Sequence, residues 1–128
     1  MFENKKILIT GGTGSLGQSL TKKLLENNVD TIRILSRNEE KQNTMKDMFS
    51  DDRLRFFIGD IRDKERLNRA FKANVNIVVH AAALKQVPAC EYNPFEAIKT
   101  NVIGAKNIID AAFNFGRFKR HARCEFIF

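Results

Sequence analysis

The sequence predicts an α/β fold built on a doubly wound parallel sheet, and three observations support this prediction. Apolar β-type runs alternate with segments of helical period along residues 1–115, without low-complexity linkers or repeats. The fourth apolar run, residues 75–80, is apolar enough to be covered on both faces, as strands of parallel sheets are. A glycine turn joins the first run to the first helical segment. Such alternation favours parallel strands joined by right-handed crossovers.

Four strands are predicted. The first, residues 5–10, runs directly into glycines, and the second, residues 31–36, is rich in β-branched residues and has no strand breaker. The third covers residues 54–59 and the fourth covers residues 75–80. We expect the sheet to be truncated after about four strands, which would leave one flank of the fourth strand unpaired.

Four helices are predicted from apolar spacing and from capping residues. They cover residues 16–27, residues 38–49 with Asn38 as N-cap, a segment capped by Asp63, and residues 94–115 with Pro94 in the first turn. The side chains expected to face the core are Leu16, Leu20 and Leu24 in the first helix, Met45, Met48 and Phe49 in the second, Leu67, Ala70 and Phe71 in the third, and Phe95, Ile98, Val102, Ala105, Ile109 and Phe113 in the fourth.

Length and composition fit one domain, because 128 residues with 43% apolar content can bury a core. The sequence has no apolar run of membrane-spanning length, and its start lacks the apolar region of a signal peptide, so we expect a cytoplasmic protein. Cys90 and Cys124 lack the spacing of a disulfide framework or a zinc site, and His80 and His121 are too scattered for a metal centre. No metal is expected.

The net charge of +7 is concentrated at the carboxyl end. Residues 117–128 carry four basic residues and one acid, so the other 116 residues hold a net charge of only +4. A mildly basic face suits a phosphorylated or nucleotide-sugar partner, and an ordinary solvated surface explains it equally well. Nucleic acid is not expected as a partner, since the phenylalanines fall on core-facing periods and are not interleaved with the basic residues.

The glycine turn is the most specific motif. Gly11, Gly14 and Gly17 follow an apolar strand and open a helix, which is the context that a dinucleotide fingerprint requires. The glycines would let the backbone approach a pyrophosphate, and the helix amino end would face its negative charge. Thr13, Ser15 and Leu16 lie in the same turn. The alternative interpretation is a tight turn with no ligand.

The end of the second strand favours NADP over NAD. An acid that binds the ribose hydroxyl is usual there, but this chain has Ser36 and Arg37, with Lys41 four residues after Arg37. Arg37 and Lys41 can share one helix face and clasp a 2′-phosphate dianion. Two solvated basic residues at a helix start are the alternative.

The ends of the third and fourth strands complete the predicted site. Asp60, which Ile61 follows, can accept a hydrogen bond from an adenine amino group. The alternative is a turn aspartate whose carboxylate accepts hydrogen bonds from its own backbone. Ala81, Ala82 and Ala83 are small enough for the nicotinamide end to lie against the backbone, and Lys85 brings a positive charge to the same region.

Three motifs give the chain a specific resemblance. They are the T-G-x-x-G-x-x-G pattern of residues 10–17, the G-D-I-R-D stretch of residues 59–63, and the segment 80–88 that begins H-A-A-A-L-K. The chain resembles extended short-chain dehydrogenases/reductases, and segments 36–42, 55–60 and 91–101 are similar to the CapD-like polysaccharide-biosynthesis branch, closest to inverting UDP-N-acetylglucosamine 4,6-dehydratases. The resemblance covers residues 5 to about 116.

The resemblance implies a Rossmann-type domain and a tightly held NADP that takes a hydride from sugar C4 and returns it at C6. It assigns Arg37 and Lys41 to the 2′-phosphate, Asp60 to adenine, Asn101 to the cofactor's surroundings, and Lys85 to a loop that faces both substrate and cofactor. A UDP-sugar partner and a homo-oligomer are implied for the full-length family. The full set of expected cofactor-binding residues is Gly11, Thr13, Gly14, Ser15, Leu16, Gly17, Ser36, Arg37, Lys41, Asp60, Ile61, Ala81, Ala82, Ala83, Lys85 and Asn101.

The family's catalytic motifs are missing from these 128 residues. The sequence contains neither Thr/Ser-Asp-Lys after a fifth strand nor Tyr-x-x-x-Lys, and its one tyrosine, Tyr92, belongs to an E-Y-N-P motif. We therefore expect residues 1–116 to be the N-terminal part of an NAD(P)-binding domain that is inactive alone. The alternatives are part of a CapD-like UDP-sugar 4-epimerase, or a non-catalytic NADP-binding or subunit-interaction module.

The basic segment 117–128 does not resemble the apolar fifth strand that the family has at this place. Reading the back-translated codons one base later gives a plausible strand, Val-Ser-Asn-Val-Met-Leu-Val-Ala-Ser. We therefore hypothesise a frameshift after Gly116. A genuine short protein with a basic, disordered tail is the alternative.

Overall fold

The computed structural model describes residues 2–72, 74–81, 102–115 and 125–127. The sheet is parallel throughout, in the order β3-β2-β1-β4-β5. Its strands are β1 (Lys6–Thr10), β2 (Thr31–Ser36), β3 (Leu54–Ile58), β4 (Ile77–His80) and β5 (Glu125–Ile127). The helices described are α1 (Ser15–Leu25), α2 (Glu39–Phe49), α3 (Lys64–Phe71) and α4 (Gly104–Phe115).

The sheet is covered on both faces, as predicted. Alternate residues of β1 point to opposite sides, so Leu8 joins one apolar cluster while Ile7 and Ile9 join the other. The first cluster contains side chains of α3 and α4, and the second contains side chains of α1 and α2. A doubly wound α/β architecture is therefore confirmed.

Both predicted helix caps are present. The Asn38 side chain accepts a hydrogen bond from the Lys41 backbone N–H at 2.9 Å, and the Asp63 side chain accepts one from the Arg66 backbone N–H at 3.2 Å. Each satisfies an amide that the first helical turn leaves unpaired. These caps fix where α2 and α3 begin, just beyond the ends of β2 and β3.

The expectation of an unpaired flank on β4 is wrong. Residues 125–127 form β5 and pair with β4 in parallel, with Ile77 opposite Glu125 and Val79 opposite Ile127. The strand is only three residues long and follows a basic run, so periodicity alone did not indicate it. The predicted basic tail thus contains one of the two edge strands of the described sheet, and β3 is the other.

Some predicted helix faces are also wrong. Leu16, Met48, Val102 and Ile109 were expected in the core, but their exposed fractions range from 49% to 61%. In α4 the buried residues include Gly104, Asn107, Ile108, Ala111 and Ala112, a face rotated away from Val102 and Ile109. Adjacent Ile108 and Ile109 give α4 two apolar faces in sequence, so spacing alone cannot choose between them.

The helix predicted over residues 94–115 is described from Gly104, and its first eight residues, 94–101, lie outside the described part of the chain. Among the residues that the structure describes, no helix is both long enough and apolar enough to span a bilayer.

Candidate functional site

A cavity of about 570 Å³ lies where β1, β2 and β3 end. Ligands of open parallel sheets bind beyond these carboxyl ends. The cavity brings together seven of the predicted site residues, although they are far apart in the sequence. These seven are Gly11, Thr13, Ser36, Arg37, Lys41, Asp60 and Ile61.

The glycine turn after β1 has the conformation that its sequence predicts. Gly11 has a φ of 70°, which is the left-handed region that favours glycine, and its N–H donates to the Leu35 carbonyl at 2.8 Å. Gly17 packs against the turn itself, since a Cβ there would stand 2.4 Å from the Gly12 carbonyl oxygen. The turn is therefore tied to β2 at one end and to α1 at the other.

The amino end of α1 is suited to an anion. Its N-cap is Gly14, which has no side chain to cap the helix, and its first turn contains no acid. By contrast, α2 and α3 are capped by side chains and have acids in their first turns. Among the described residues, a Cβ on Gly14 would meet only the Gly11 carbonyl oxygen, at 3.7 Å, so their other atoms do not fill the space beside it. Backbone N–H groups and the helix dipole in this place fit a pyrophosphate.

The other predicted residues of this turn, Thr13, Ser15 and Leu16, are neighbours of Gly14 in the sequence. Thr13 is buried, and its carbonyl oxygen accepts a hydrogen bond from Gln18 Nε2 at 2.9 Å. Ser15 and Leu16 are exposed, with Leu16 59% exposed. Leu16 thus lies beside the candidate phosphate site and away from the buried face of α1, which explains why its predicted core role is wrong.

The end of β2 carries the predicted cations in a different arrangement from the one expected. Arg37 precedes the N-cap Asn38, so it lies in the loop and does not share a helix face with Lys41. Both residues nevertheless line the same cavity, since the loop turns at the cap. Glu39 lines it too, a residue that the sequence interpretation did not include. Arg37 from this loop and Glu39 and Lys41 from the first turn of α2 therefore border the cavity.

Asp60 is held by two arginines. Arg62 donates to its carboxylate from Nε at 3.0 Å and from Nη2 at 2.6 Å, and Arg37 Nη1 lies 3.8 Å from Oδ2. The hydrogen bonds from Arg62, more than the nearby charges, hold the pKa of the Asp60 carboxyl below its usual value. Asp60 is therefore an anion at neutral pH, with acceptor atoms only.

Gln42 is a supporting residue that the sequence interpretation did not identify. It is only 4% exposed, and its Nε2 donates to Ser36 Oγ and to the Phe57 carbonyl oxygen, both at 2.8 Å. Gln42 thereby joins α2 to the ends of β2 and β3, and its partner Ser36 lines the cavity. A glutamine four residues after the predicted N-cap Asn38 is the sequence signal that could have indicated it.

The end of β4 lies beside the glycine turn. Thr10 Oγ1 and His80 Nδ1 are 2.7 Å apart, and the Ala81 N–H donates to the Thr10 carbonyl at 2.9 Å. Burial lowers the pKa of His80, so the imidazole is neutral at neutral pH. Ala82, Ala83, Lys85 and Asn101, the remaining predicted site residues, lie outside the described residues.

Within the ranges that the structure describes, no group of three or more His, Cys, Asp or Glu residues is placed to hold a metal ion. Among the described residues, those that line the cavity include two cations, Arg37 and Lys41, and two carboxylates, Glu39 and Asp60. This donor set fits a phosphorylated organic ligand.

The parallel sheet with helices on both faces and the glycine turn between β1 and α1 together define an α/β domain of the Rossmann type. Residues 7–119 match the family model described as "Polysaccharide biosynthesis protein", and the chain belongs to that family.

Two curated relatives show how this chain compares with longer proteins. The inverting UDP-N-acetylglucosamine 4,6-dehydratase of Campylobacter jejuni is 56% identical over 117 residues, which are 91% of this chain and 35% of the relative. The UDP-glucose 4-epimerase of Rickettsia akari is 48% identical over 118 residues, covering 89% of this chain and 34% of the relative. The chain thus spans about a third of the length of these relatives.

Solved structures of similar proteins have the same fold. Pen from Bacillus thuringiensis superposes with a TM-score of 0.84 at 42% identity, over 89% of this chain and 35% of that one. The UDP-glucose 4-epimerase of Thermus thermophilus, solved in complex with NAD, superposes with a TM-score of 0.72 at 26% identity, over 86% of this chain and 34% of that one.

Proposed function

We propose that this chain binds a nicotinamide dinucleotide in the cavity at the strand ends. The pyrophosphate would lie at the amino end of α1, and the adenosine end would lie between Arg37, Lys41 and Asp60. The observation that carries the proposal is one cavity at the strand ends, which is lined by Gly11 and Thr13 of the glycine turn that leads into α1 and by the acceptor carboxylate of Asp60.

We further propose that NADP is preferred to NAD. Arg37 is 59% exposed and Lys41 is exposed, so both side chains can turn toward a 2′-phosphate without losing buried contacts. Charge-assisted bonds from two cations stabilise a dianion. Glu39 lines the cavity as well and opposes that attraction, so the preference depends on which side chains reach the ribose.

The wider role that we propose is in a UDP-sugar enzyme of polysaccharide biosynthesis, of the 4,6-dehydratase type. The 56% identity to a UDP-N-acetylglucosamine 4,6-dehydratase supports this assignment. When bound, the nicotinamide supplies hydride transfer, and this chain's own residues bind and orient it. Ala81, Ala82, Ala83, Lys85 and Asn101 are proposed to lie at its nicotinamide end, with Lys85 also facing the sugar. Assembly as a homo-oligomer and a cytoplasmic location remain predictions.

A UDP-sugar 4-epimerase is the second candidate. The 48% identity to a UDP-glucose 4-epimerase favours it, over nearly the same part of the chain. Both candidates need the same dinucleotide cavity, and both differ from a non-catalytic NADP-binding module in needing residues beyond these 128. Product analysis with a longer form of the chain would separate the two enzymes.

Calorimetric titration with NADP and with NAD tests the cofactor proposal. We expect the parent chain to bind NADP more tightly, and Arg37→Ala and Lys41→Ala each to weaken NADP binding by about tenfold or more, with little effect on NAD. Lys46→Ala is the matched control. The substitution removes one positive charge from the last turn of α2, and Lys46 does not line the cavity.

Equal affinity of the parent for NADP and NAD would remove the preference for NADP. Absence of binding to either dinucleotide by folded protein would overturn the proposed function as a whole. A loss in Lys46→Ala equal to that in Lys41→Ala would indicate a general charge effect in place of a specific phosphate contact.

A further inference from the structure

The turn after β3 is held from α4 by a buried amide. Asn107 is 7% exposed, and its Nδ2 donates to the Ile61 carbonyl oxygen at 3.0 Å and to the Arg62 carbonyl oxygen at 3.2 Å. One turn earlier, Gly104 leaves the space that Ile61 fills, since a Cβ on Gly104 would stand 2.3 Å from Ile61 Cδ1. The helix therefore fits this turn closely and determines where its backbone lies.

The same turn carries Arg62 and Asp60. Three N–H groups of Arg62 donate to the Asp60 carboxylate, namely the backbone N–H at 2.9 Å, Nε, and Nη2 at 2.6 Å. A carboxylate has about four lone-pair sites, and the three N–H groups of Arg62 leave about one of them, since Arg37 Nη1 lies 3.8 Å from Oδ2 and is beyond hydrogen-bond distance. Asn107 thus fixes the backbone of Arg62, and Arg62 in turn fixes the carboxylate.

We propose that Arg62 and Asn107 are positioning residues that hold the Asp60 carboxylate as an acceptor toward the base of the dinucleotide. The cavity would then select a base with an exocyclic amino group. This inference rests on the proposed function, because it assigns specificity to the same cavity. Neither residue needs to touch the ligand.

Paired ligands provide a direct test. Adenine presents an amino group where hypoxanthine has a carbonyl oxygen. That oxygen and the Asp60 carboxylate are both acceptors, so they cannot form a hydrogen bond with each other. We expect the parent chain to bind NADPH about tenfold or more tightly than its hypoxanthine analogue. The ratio of the two dissociation constants, measured by fluorescence titration, reports the placement of Asp60.

Two variants separate positioning from folding. In Arg62→Gln and in Asn107→Ala we expect the ratio to fall to within about twofold of one, because the carboxylate is no longer held. A general loss of structure would weaken both ligands and leave the ratio unchanged. Lys106→Gln is the matched control, since Lys106 is exposed on the same helix and pairs with Asp110. If Asn107→Ala does not fold, Arg62→Gln decides, since the Arg62 side chain is already 25% exposed.

Parent-like ratios in both folded variants, or a parent ratio near one, would overturn the inference while leaving dinucleotide binding intact. A parent chain that binds neither ligand would overturn the proposed function and this inference together. The two failures are therefore distinguishable.

Discussion

Gly17 of α1 touches Gly12 of the strand-end turn through backbone atoms alone. A Cβ on Gly17 would stand 2.4 Å from both the Cα and the carbonyl oxygen of Gly12, a separation that no rotamer change can relieve. At Gly14 the nearest atom of the described residues to such a Cβ is 3.7 Å away, and the backbone has an ordinary extended conformation. One glycine of the motif therefore serves packing, while the other leaves space for a ligand.

This difference predicts opposite effects for two similar substitutions. Gly17→Ala should lower the free energy of unfolding by about 1–3 kcal/mol, because overpacking moves α1 away from the sheet. Gly14→Ala should change it by less than about 0.5 kcal/mol and yet abolish dinucleotide binding, because the methyl group enters the phosphate site. Urea unfolding and dinucleotide titration of both variants check this. Normal binding by Gly14→Ala would contradict the placement of the phosphates.

The pairing of His80 with Thr10 predicts a pH dependence of stability. Because burial lowers the folded pKa of His80, the unfolded chain takes up a proton more readily than the folded chain does. Stability should be full above the ordinary histidine pKa of about 6.5 and should fall as the pH drops through and below it toward the folded pKa.

Urea unfolding at pH 7.5 and pH 5.5 measures this dependence. This pH range isolates the effect of His80, because histidine is the side chain that ordinarily titrates there and the chain has only two histidines. His80→Gln should flatten the dependence between the two pH values, and His121→Gln should keep it. A slope that persists in His80→Gln would show that another group is responsible.

The strand β5 should protect the edge of the sheet. Removal of residues 125–128 would leave β4 without its neighbour on that flank, and unpaired apolar edges promote aggregation. We expect a loss of about 1–3 kcal/mol in stability, from a few hydrogen bonds of about 0.5–1.5 kcal/mol each, together with increased binding of the dye ANS. Replacing Lys119 and Arg120 by glutamine is the control. Unchanged ANS binding after the deletion would contradict a structural role for β5.

These 128 residues should not dehydrate UDP-N-acetylglucosamine. Proton abstraction from the C4 hydroxyl near neutral pH needs a positioned base, and the chain's one tyrosine, Tyr92, is followed four residues later by Glu96 and not by lysine. An assay for the 4-keto-6-deoxy product, with an active dehydratase as positive control, should give no signal above the blank. A reproducible product would mean that another residue of this chain supplies the base.

Local signals in the sequence predicted most of the sheet and the helix starts. Strand β2 has its predicted bounds, and Asn38 and Asp63 cap the helices that they were expected to cap. These features depend on neighbouring residues, and so short patterns reveal them. The gathering of Gly11, Arg37 and Asp60 at one edge follows from parallel strand order, which the alternation of strands and helices predicts.

The features that were missed depend on contacts between distant parts of the chain. The face of α4 that is buried follows from Asn107 meeting Ile61, a contact across 46 residues. Gln42 supports the cavity because β3 lies beside β2, and β5 is recognisable only by its register with β4. Spacing along one helix or one strand contains none of this information.

The central claim is that a dinucleotide binds at the strand ends, and amide chemical shifts test it most directly. In ¹⁵N–¹H spectra recorded during a titration with NADPH, we expect the largest shifts at residues 11–17, at Arg37 and at Asp60 and Ile61. The far end of the sheet, around Asn28 and Asn76, should be unaffected. Shifts confined to that far end, or no shifts at millimolar NADPH, would contradict the account.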